Sequence, residues 1–248
     1  MDLGLSGRRA AVAAASGGLG FESARALAAE GVLVAICGRD RARIDDAAAR
    51  VGNGCVAFVQ DVSDAAGGAA FVAAATEALG GLDIVVANAG GPAAGTFDST
   101  PVDAYDAALD LSLMSVVGMA KAAIPAMRAG RWGRFVAITS VSVRQPIPNL
   151  ILSNTARAGV TGFLKTVARE VAVDGVTVNS AQPGMHATDR LSNLYGGDLS
   201  ALAAGIPAGR VGDPADFGAV VAFLCSAQAG FVTGLQLHVD GGSYAGLL

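Results

Sequence analysis

The sequence predicts a single α/β domain built on a doubly wound, mostly parallel sheet of about seven strands, with helices on both faces. Three observations carry that expectation. Short apolar runs recur at 8–14, 32–37, 56–59, 82–87, 134–139, 176–181 and 235–239, and their length and β-branched content suit strands buried on both faces. Segments of helical character separate them, the alternation expected of a parallel sheet. The 248 residues are enough for one large core, and no linker interrupts them.

Composition narrows the function. The chain is 52% hydrophobic but only 5% aromatic, which suits small-residue helices packed tightly on a sheet. A net charge of −4 argues against an electrostatic nucleic-acid or anionic-membrane surface. No apolar run is read as reaching the roughly 18 to 20 residues that span a bilayer, and the start of the chain does not read as a signal peptide, so a cytoplasmic setting is expected. Cys37, Cys55 and Cys225 are odd in number, widely spaced and set in apolar surroundings; they read as buried, reduced thiols.

Taken in order, the first strand runs into Ala13-Ala14-Ala15-Ser16-Gly17-Gly18-Leu19-Gly20 and then an amphipathic helix. Small residues let the backbone approach a pyrophosphate, and the helix start offers free N–H groups and a positive partial charge, so Ser16, Gly17, Gly18, Leu19 and Gly20 are candidate phosphate contacts. The second strand ends in Gly38-Arg39-Asp40. In dinucleotide-binding folds an acid at this place holds the ribose 2′-hydroxyl, whereas an Arg pairs with a 2′-phosphate. Gly38 stands where the acid would be and Arg39 follows, which favours NADP(H) over NAD(H). The alternative is that Arg39 is a solvated residue at a helix start, like Arg41 and Arg43.

The third strand ends at Asp61-Val62, where Asp61 is also a plausible helix cap. The fourth closes with Asn88-Ala89-Gly90, and a long apolar helix from about 101 to 129 follows, with Ser112 inside its apolar stripe. The fifth strand ends in Thr139 and is followed by Ser140 and Ser142. The carboxyl ends of parallel strands are where ligands bind, so these hydroxyls are candidate chemistry as well as ordinary turn residues. A helix over 151–173 and the sixth strand lead to Pro183-Gly184-Met185-His186-Ala187-Thr188. His186 could exchange a proton near neutral pH, or be a surface-loop histidine. His238 in the last strand reads as structural.

From the glycine-rich turn to Val239-Asp240-Gly241-Gly242, the chain resembles the short-chain dehydrogenase/reductase superfamily, nearest to its 3-oxoacyl-acyl-carrier-protein reductase branch. The resemblance implies a Rossmann fold. Of the family's TGxxxGxG, Gly18 and Gly20 match while Ala13 and Ala14 replace the Thr and first Gly. It further implies that Asp61 and Val62 meet the adenine, that in the cofactor-binding run Asn88-Ala89-Gly90 the Asn ties neighbouring strands and the Gly backs the ribose, and that Pro183, Gly184, Met185 and Thr188 face the nicotinamide and phosphates. Residues 189–207 would be a lid setting substrate choice, with Leu191, Leu194, Tyr195 and Leu199 lining the pocket. The two long helices would make a homotetramer or homodimer interface.

The resemblance also exposes a departure. The family's Ser is followed thirteen residues on by a Tyr and four further on by a Lys. Counting from Ser140 gives Ser153 and Arg157, and Ser112 stands in place of a helix Asn. The expected activity is an NAD(P)(H)-dependent oxidoreductase acting on a carbonyl, alcohol or related small molecule. Ser140 would polarise the carbonyl, and His186, Tyr195 or water would deliver the proton. The alternative is a dehydrogenase-like protein without redox turnover, either a cofactor-binding module or a non-redox cyclase or isomerase.

Overall fold

A computed structural model describes residues 2–194 and 199–247. Seven strands, β1 (Arg9–Val12), β2 (Leu33–Gly38), β3 (Val56–Val59), β4 (Ile84–Ala87), β5 (Gly133–Ile138), β6 (Val176–Pro183) and β7 (Gln236–Val239), form one sheet. Its order is β3-β2-β1-β4-β5-β6-β7 and every pair is parallel. The order reverses between β1 and β4, which opens a crevice above their carboxyl ends. The expected strands are all present. The largest boundary differences are β1, which is shorter than the run at 8–14, and β6, which extends to Pro183.

Two apolar layers flank the sheet. Helices α1 (Gly18–Ala29), α2 (Arg41–Val51) and α9 (Pro214–Cys225) cover one face, packing Phe21, Leu27, Ile44, Phe217 and Val221 on Val12, Ile36 and Val136. Helices α3 (Ala65–Leu79), α5 (Ser115–Ala129) and α6 (Ile151–Val171) cover the other, with Phe71, Met119, Met127 and Leu164 on Val85, Phe135 and Val178. The alternation of side chains along each strand sends neighbours to opposite layers. That double burial is why the strands read as continuous apolar runs.

Aspartates cap three of the helices. Asp40, Asp64 and Asp213 each accept a backbone N–H in the first turn of α2, α3 and α9. The cap of α3 is therefore Asp64; Asp61 instead accepts from the N–H of Ser63 at 3.0 Å. The long helix starts later than Pro101, with α4 (Ala104–Leu109), and passes through a π turn (Asp110–Met114) before α5. Together 104–129 are long and apolar enough to cross a membrane by length and composition alone, unlike the sequence expectation. Half of that window is buried against the protein's own interior, as in a core helix.

The opposite end of the strands, away from the crevice, is closed by cations. Asp83 holds Arg9 through Nε at 2.8 Å and takes a longer ion pair from Arg8 at 3.7 Å. The Arg8 and Arg134 guanidinium groups lie 3.8 and 4.3 Å from the ring centre of Trp132. Arg134 is only 3% exposed, and the carbonyls of Gly133 and Ser226 accept its N–H groups, which is how a charge is tolerated at the start of a fully buried strand. Cys37 and Cys225 are buried and Cys55 half-buried; burial pushes all three thiols up to about 12, so they are inert at neutral pH.

Candidate active site

A cleft of about 400 Å³ opens over the carboxyl ends of the strands, where β1 and β4 diverge. Its floor at one end is the turn between β1 and α1. Gly18 adopts φ +58°, and α1 begins without any capping side chain, so its first N–H groups face the cleft unspent. Ser16, Gly17, Gly18 and Leu19 line the cleft. Gly20 lies behind them, where a Cβ would meet the Ala14 carbonyl and Asn88 Nδ2 at 2.8 Å. Ala14 itself takes φ +48°, in the region that favours glycine. Its N–H is directed to the Cys37 sulfur at 3.5 Å, away from any phosphate.

Asn88, Ala89 and Gly90 form the next wall. Asn88 Nδ2 donates to the Ala14 carbonyl at 3.2 Å, tying the end of β4 to the turn after β1. At the far side of the turn, a Cβ on buried Gly38 would meet Ser16 and Ile44 at 3.2 Å, so a larger side chain there would have to displace these neighbours slightly. Arg43, on the first turn of α2, lines the cleft with its guanidinium beside Gly17. Arg39 is exposed and outside the lining, as is Asp61. Val62 is buried, and neither it nor Met185 borders the main cleft; Met185 borders a second cavity of about 100 Å³. The sequence suggests for Arg43 only a solvated place at a helix start; its side chain reaches the cleft from the first turn of α2, beyond the end of the strand.

The other half of the cleft holds the candidate chemistry. Ser140 caps a short 3₁₀ turn (Val141–Val143): its Oγ accepts from the Ser142 N–H at 3.0 Å, which leaves its own proton to be directed elsewhere. Ser153 and Arg157 project from α6 toward the same space. Ser153 is 6% exposed. Arg157 donates through Nη1 to the carbonyls of Ile138 and Thr139 at 3.1 and 3.2 Å, so its charge is fastened to the end of β5. Ile138, Thr139 and Leu150 add lining that the sequence did not single out. Ser112 lies in the π turn, 3% exposed, its Oγ without a partner among the described residues, and it does not reach the cleft.

Pro183, Gly184, His186, Thr188, Asp189 and Leu191 complete the lining. Thr188 packs its methyl beside Gly18 and accepts from the Leu191 N–H at 3.3 Å. His186 is not a surface-loop residue: it is 6% exposed, packs edge-on against Phe217 and separates the cleft from the second cavity. Burial holds its pKa below the ordinary 6.5, partly opposed by a 3.4 Å contact with the Gly184 carbonyl. That carbonyl can only accept, so Nδ1 carries the proton of a neutral ring. Tyr105 and Tyr244 do not line the cleft, and Leu199 does not either. Tyr195 and the side chain of Leu194 lie outside the described residues.

The fold and cleft define a doubly wound α/β domain that presents a bare helix start, a polar strand end and a two-serine, one-arginine face to a common ligand. Residues 13–244 match the family described as Enoyl-(Acyl carrier protein) reductase. The chain is 34% identical to the 3-oxoacyl-[acyl-carrier-protein] reductase FabG of Vibrio cholerae, over 98% of this chain and 99% of that one. Among solved structures it is similar to L-sorbose reductase from Gluconobacter frateurii complexed with NADPH and L-sorbose, at TM-score 0.92, 30% identity and full coverage of both chains. It is also similar to a short-chain oxidoreductase from Pseudomonas aeruginosa PAO1 described as containing an atypical catalytic center, at TM-score 0.91 and 30% identity over 98% of this chain and 99% of that one. The chain belongs to the short-chain dehydrogenase/reductase superfamily of oxidoreductases and resembles its 3-oxoacyl-acyl-carrier-protein reductase branch.

Proposed function

We propose that the protein transfers a hydride between NADP(H) and the carbonyl or alcohol of a small molecule, using Ser140 together with Ser153 and Arg157, the last two standing where its family has a tyrosine and a lysine. The observation that carries this reading is that one cleft gathers the uncapped start of α1, the Asn88–Gly90 turn, Ser140, the Ser153 and Arg157 face of α6 and the Pro183–Thr188 loop. The residues fit a dinucleotide: a turn with Gly17 and Gly18 facing the cleft for the pyrophosphate and a fixed cation, Arg157, for ribose hydroxyls. When bound, the nicotinamide supplies or accepts the hydride.

The chain's own groups divide the remaining work. The N–H groups at the start of α1 would hold the phosphates. Arg43, beside Gly17, is placed for a 2′-phosphate, and Gly38 offers no acid to hold a 2′-hydroxyl, which supports NADP(H) over NAD(H). Arg39, Asp61, Val62 and Met185 take no part in the cleft on this reading. Ser140 directs its proton at the substrate oxygen and polarises it. Arg157 orients the ribose but keeps its proton, and Ser153 is too weak an acid to replace a phenol. Neutral His186 orients rather than supplies the proton, so the final donor is water.

The exposed apolar side chains Phe97 and Val102, close to the start of α4, support assembly into a homodimer or homotetramer. Three reduced thiols suit the cytoplasm. The test is a calorimetric titration with NADPH and NADH, followed by near-ultraviolet absorbance of the reduced nicotinamide across ketones, imines and enones. Turnover that disappears in Ser140→Ala, with cofactor binding kept, is expected. Turnover unaffected by that substitution removes Ser140 from the mechanism.

A second reading, a binding module or non-redox cyclase or isomerase, draws on the Ser153 and Arg157 pair itself. Both groups can hold a ligand, and neither readily donates a proton. Tight dinucleotide binding with no redox turnover over the whole panel favours it.

A further inference from the structure

The chain turns back on itself just before α6, between Ile147 and Leu150. Pro148 followed by Asn149 is the pattern of a type II turn, which asks for a positive φ at its third residue, and Asn149 takes φ +60°. The turn closes with the Leu150 N–H donating to the Ile147 carbonyl at 3.2 Å. Asn154, the residue after Ser153, fastens it from the helix. Its Nδ2 donates to the Ile147 carbonyl at 3.0 Å, and its Oδ1 accepts from the Ile147 N–H at 3.4 Å. A side chain of α6 therefore folds the turn against the helix that follows it.

A second segment clamps the turn from outside. Gly95, in the connection that leads from Asn88–Gly90 to α4, forms an isolated parallel bridge with Leu150. The Gly95 N–H donates to the Asn149 carbonyl at 2.7 Å, and the Gly95 carbonyl accepts from the Ile151 N–H at 3.2 Å. No side chain caps the start of α6, so this carbonyl meets one of the N–H groups that a helix start leaves over. Gly95 is itself confined, because a Cβ there would run into Thr100 Oγ1. Within the same connection Ser99 Oγ accepts from the Thr96 N–H at 2.9 Å. Leu150 is thus held by its own turn, by Asn154 and by Gly95 together.

The residue fixed in this way belongs to the cleft wall. Leu150 is half-buried, lines the cleft and precedes Ser153 by three residues, the spacing that brings side chains to one face of a helix. Its side chain offers a ligand apolar surface and no hydrogen bond. A free loop could give way to a large group, but a turn bonded from two sides yields only by losing those hydrogen bonds.

We propose that Leu150 is a specificity-determining residue that limits the bulk of the apolar substituent on the carbonyl substrate, and that Asn154 and Gly95 are positioning residues acting through it. The inference deepens the hydride-transfer reading and rests on it. With the carbonyl oxygen at Ser140, one substituent of the carbonyl carbon lies against the wall that Leu150 and Ser153 share. A methylene more or less in a closed apolar pocket changes kcat/KM by roughly 10- to 200-fold, and Leu150 confers sensitivity of that order.

The test uses the full chain with NADPH and methyl ketones of increasing bulk: acetone, acetophenone and acetonaphthone. Leu150→Ala is expected to raise kcat/KM for acetonaphthone relative to acetone by about tenfold or more, and Leu150→Trp to lower it by a similar factor. Asn154→Ala, which releases the turn while keeping Leu150, is expected to narrow the spread between the ketones. A merely structural Asn154 would lower Tm and leave the ranking alone. The same ranking in Leu150→Ala and Leu150→Trp overturns the proposal, and a parental ranking in Asn154→Ala overturns the positioning role. Absence of turnover with every carbonyl strikes the hydride-transfer reading instead. The same ketones titrated calorimetrically into the two Leu150 variants with NADPH present then decide the proposal, which fails if the order of affinities is the same in both.

Discussion

The side-chain amide of Asn88 donates to the carbonyl of Ala14 at 3.2 Å, so the strained residue of the turn between β1 and α1 is held in place from the neighbouring strand. A methyl group at φ +48° is disfavoured, and glycine relieves that strain while gaining freedom in the unfolded chain. Ala14→Gly is expected to stabilise the fold by up to about 1 kcal/mol, raising Tm by about 2 to 4 °C in a thermal melt. The shorter residue also lets a pyrophosphate approach more closely, so NADP(H) affinity should rise in the same variant. A lowered Tm would show that the turn is not strained at this residue.

Arg43 and Arg39 separate by affinity. Removing a charge-assisted contact to a phosphate costs about 1.5 to 3 kcal/mol. Arg43→Ala is therefore expected to weaken NADPH by roughly 10- to 100-fold while leaving NADH nearly unchanged, as read by calorimetry. Arg39→Ala should leave both close to parental. The reverse ranking would return the 2′-phosphate to the end of β2.

Restoring the missing acid gives a gain-of-function prediction. Ser153 and Arg157 both border the cleft, and a positioned general acid contributes about 10²- to 10⁴-fold. The double substitution Ser153→Tyr with Arg157→Lys is expected to raise kcat for ketone reduction, most at neutral to mildly alkaline pH. Arg157→Lys alone should weaken the cofactor, because a compact ammonium cannot reproduce the planar guanidinium that spans the Ile138 and Thr139 carbonyls. An unimproved double variant would mean that the substrate does not sit beside Ser153.

His186 makes stability depend on pH. Burial lowers its folded pKa, while Asp216 and Asp213 raise it and Arg210 lowers it. The unfolded chain regains a pKa of about 6.5 and binds a proton more readily than the folded one. The stabilisation is thus fully present above pH about 6.5 and is lost as pH falls through the folded value. His238 is shifted in the same direction, chiefly by burial. Thermal melts from pH about 7.5 down to 5 should show Tm falling with acid, with a shallower slope in His186→Phe. An equal slope in that variant would assign the acid sensitivity to other groups.

The sheet was legible because strands buried on both faces can tolerate little but apolar residues, and all seven runs appear in the observed order. The helix caps were only partly so. Asp61 and Asp64 are both aspartates near the start of α3, and only geometry separates them. At the cleft, residues adjacent to strand ends were brought together much as expected: Ser140, Asn88, Gly184 and Thr188. Arg43 was not singled out because a long side chain reaches back from a turn away. The burial of His186 was also hidden, since it depends on Phe217 and Gly212, more than twenty residues further along the chain.

Trp132, the single tryptophan of the chain, is clasped by two guanidinium groups at the end of the sheet remote from the cleft. Strand β5 separates it from Ser140 by roughly 20 Å, so bound reduced nicotinamide can dim its emission by resonance transfer but never by contact. Unfolding removes both cations from the indole and shifts the emission spectrum instead. One intrinsic fluorophore thus reports occupancy by intensity and collapse of the fold by colour, with no label attached.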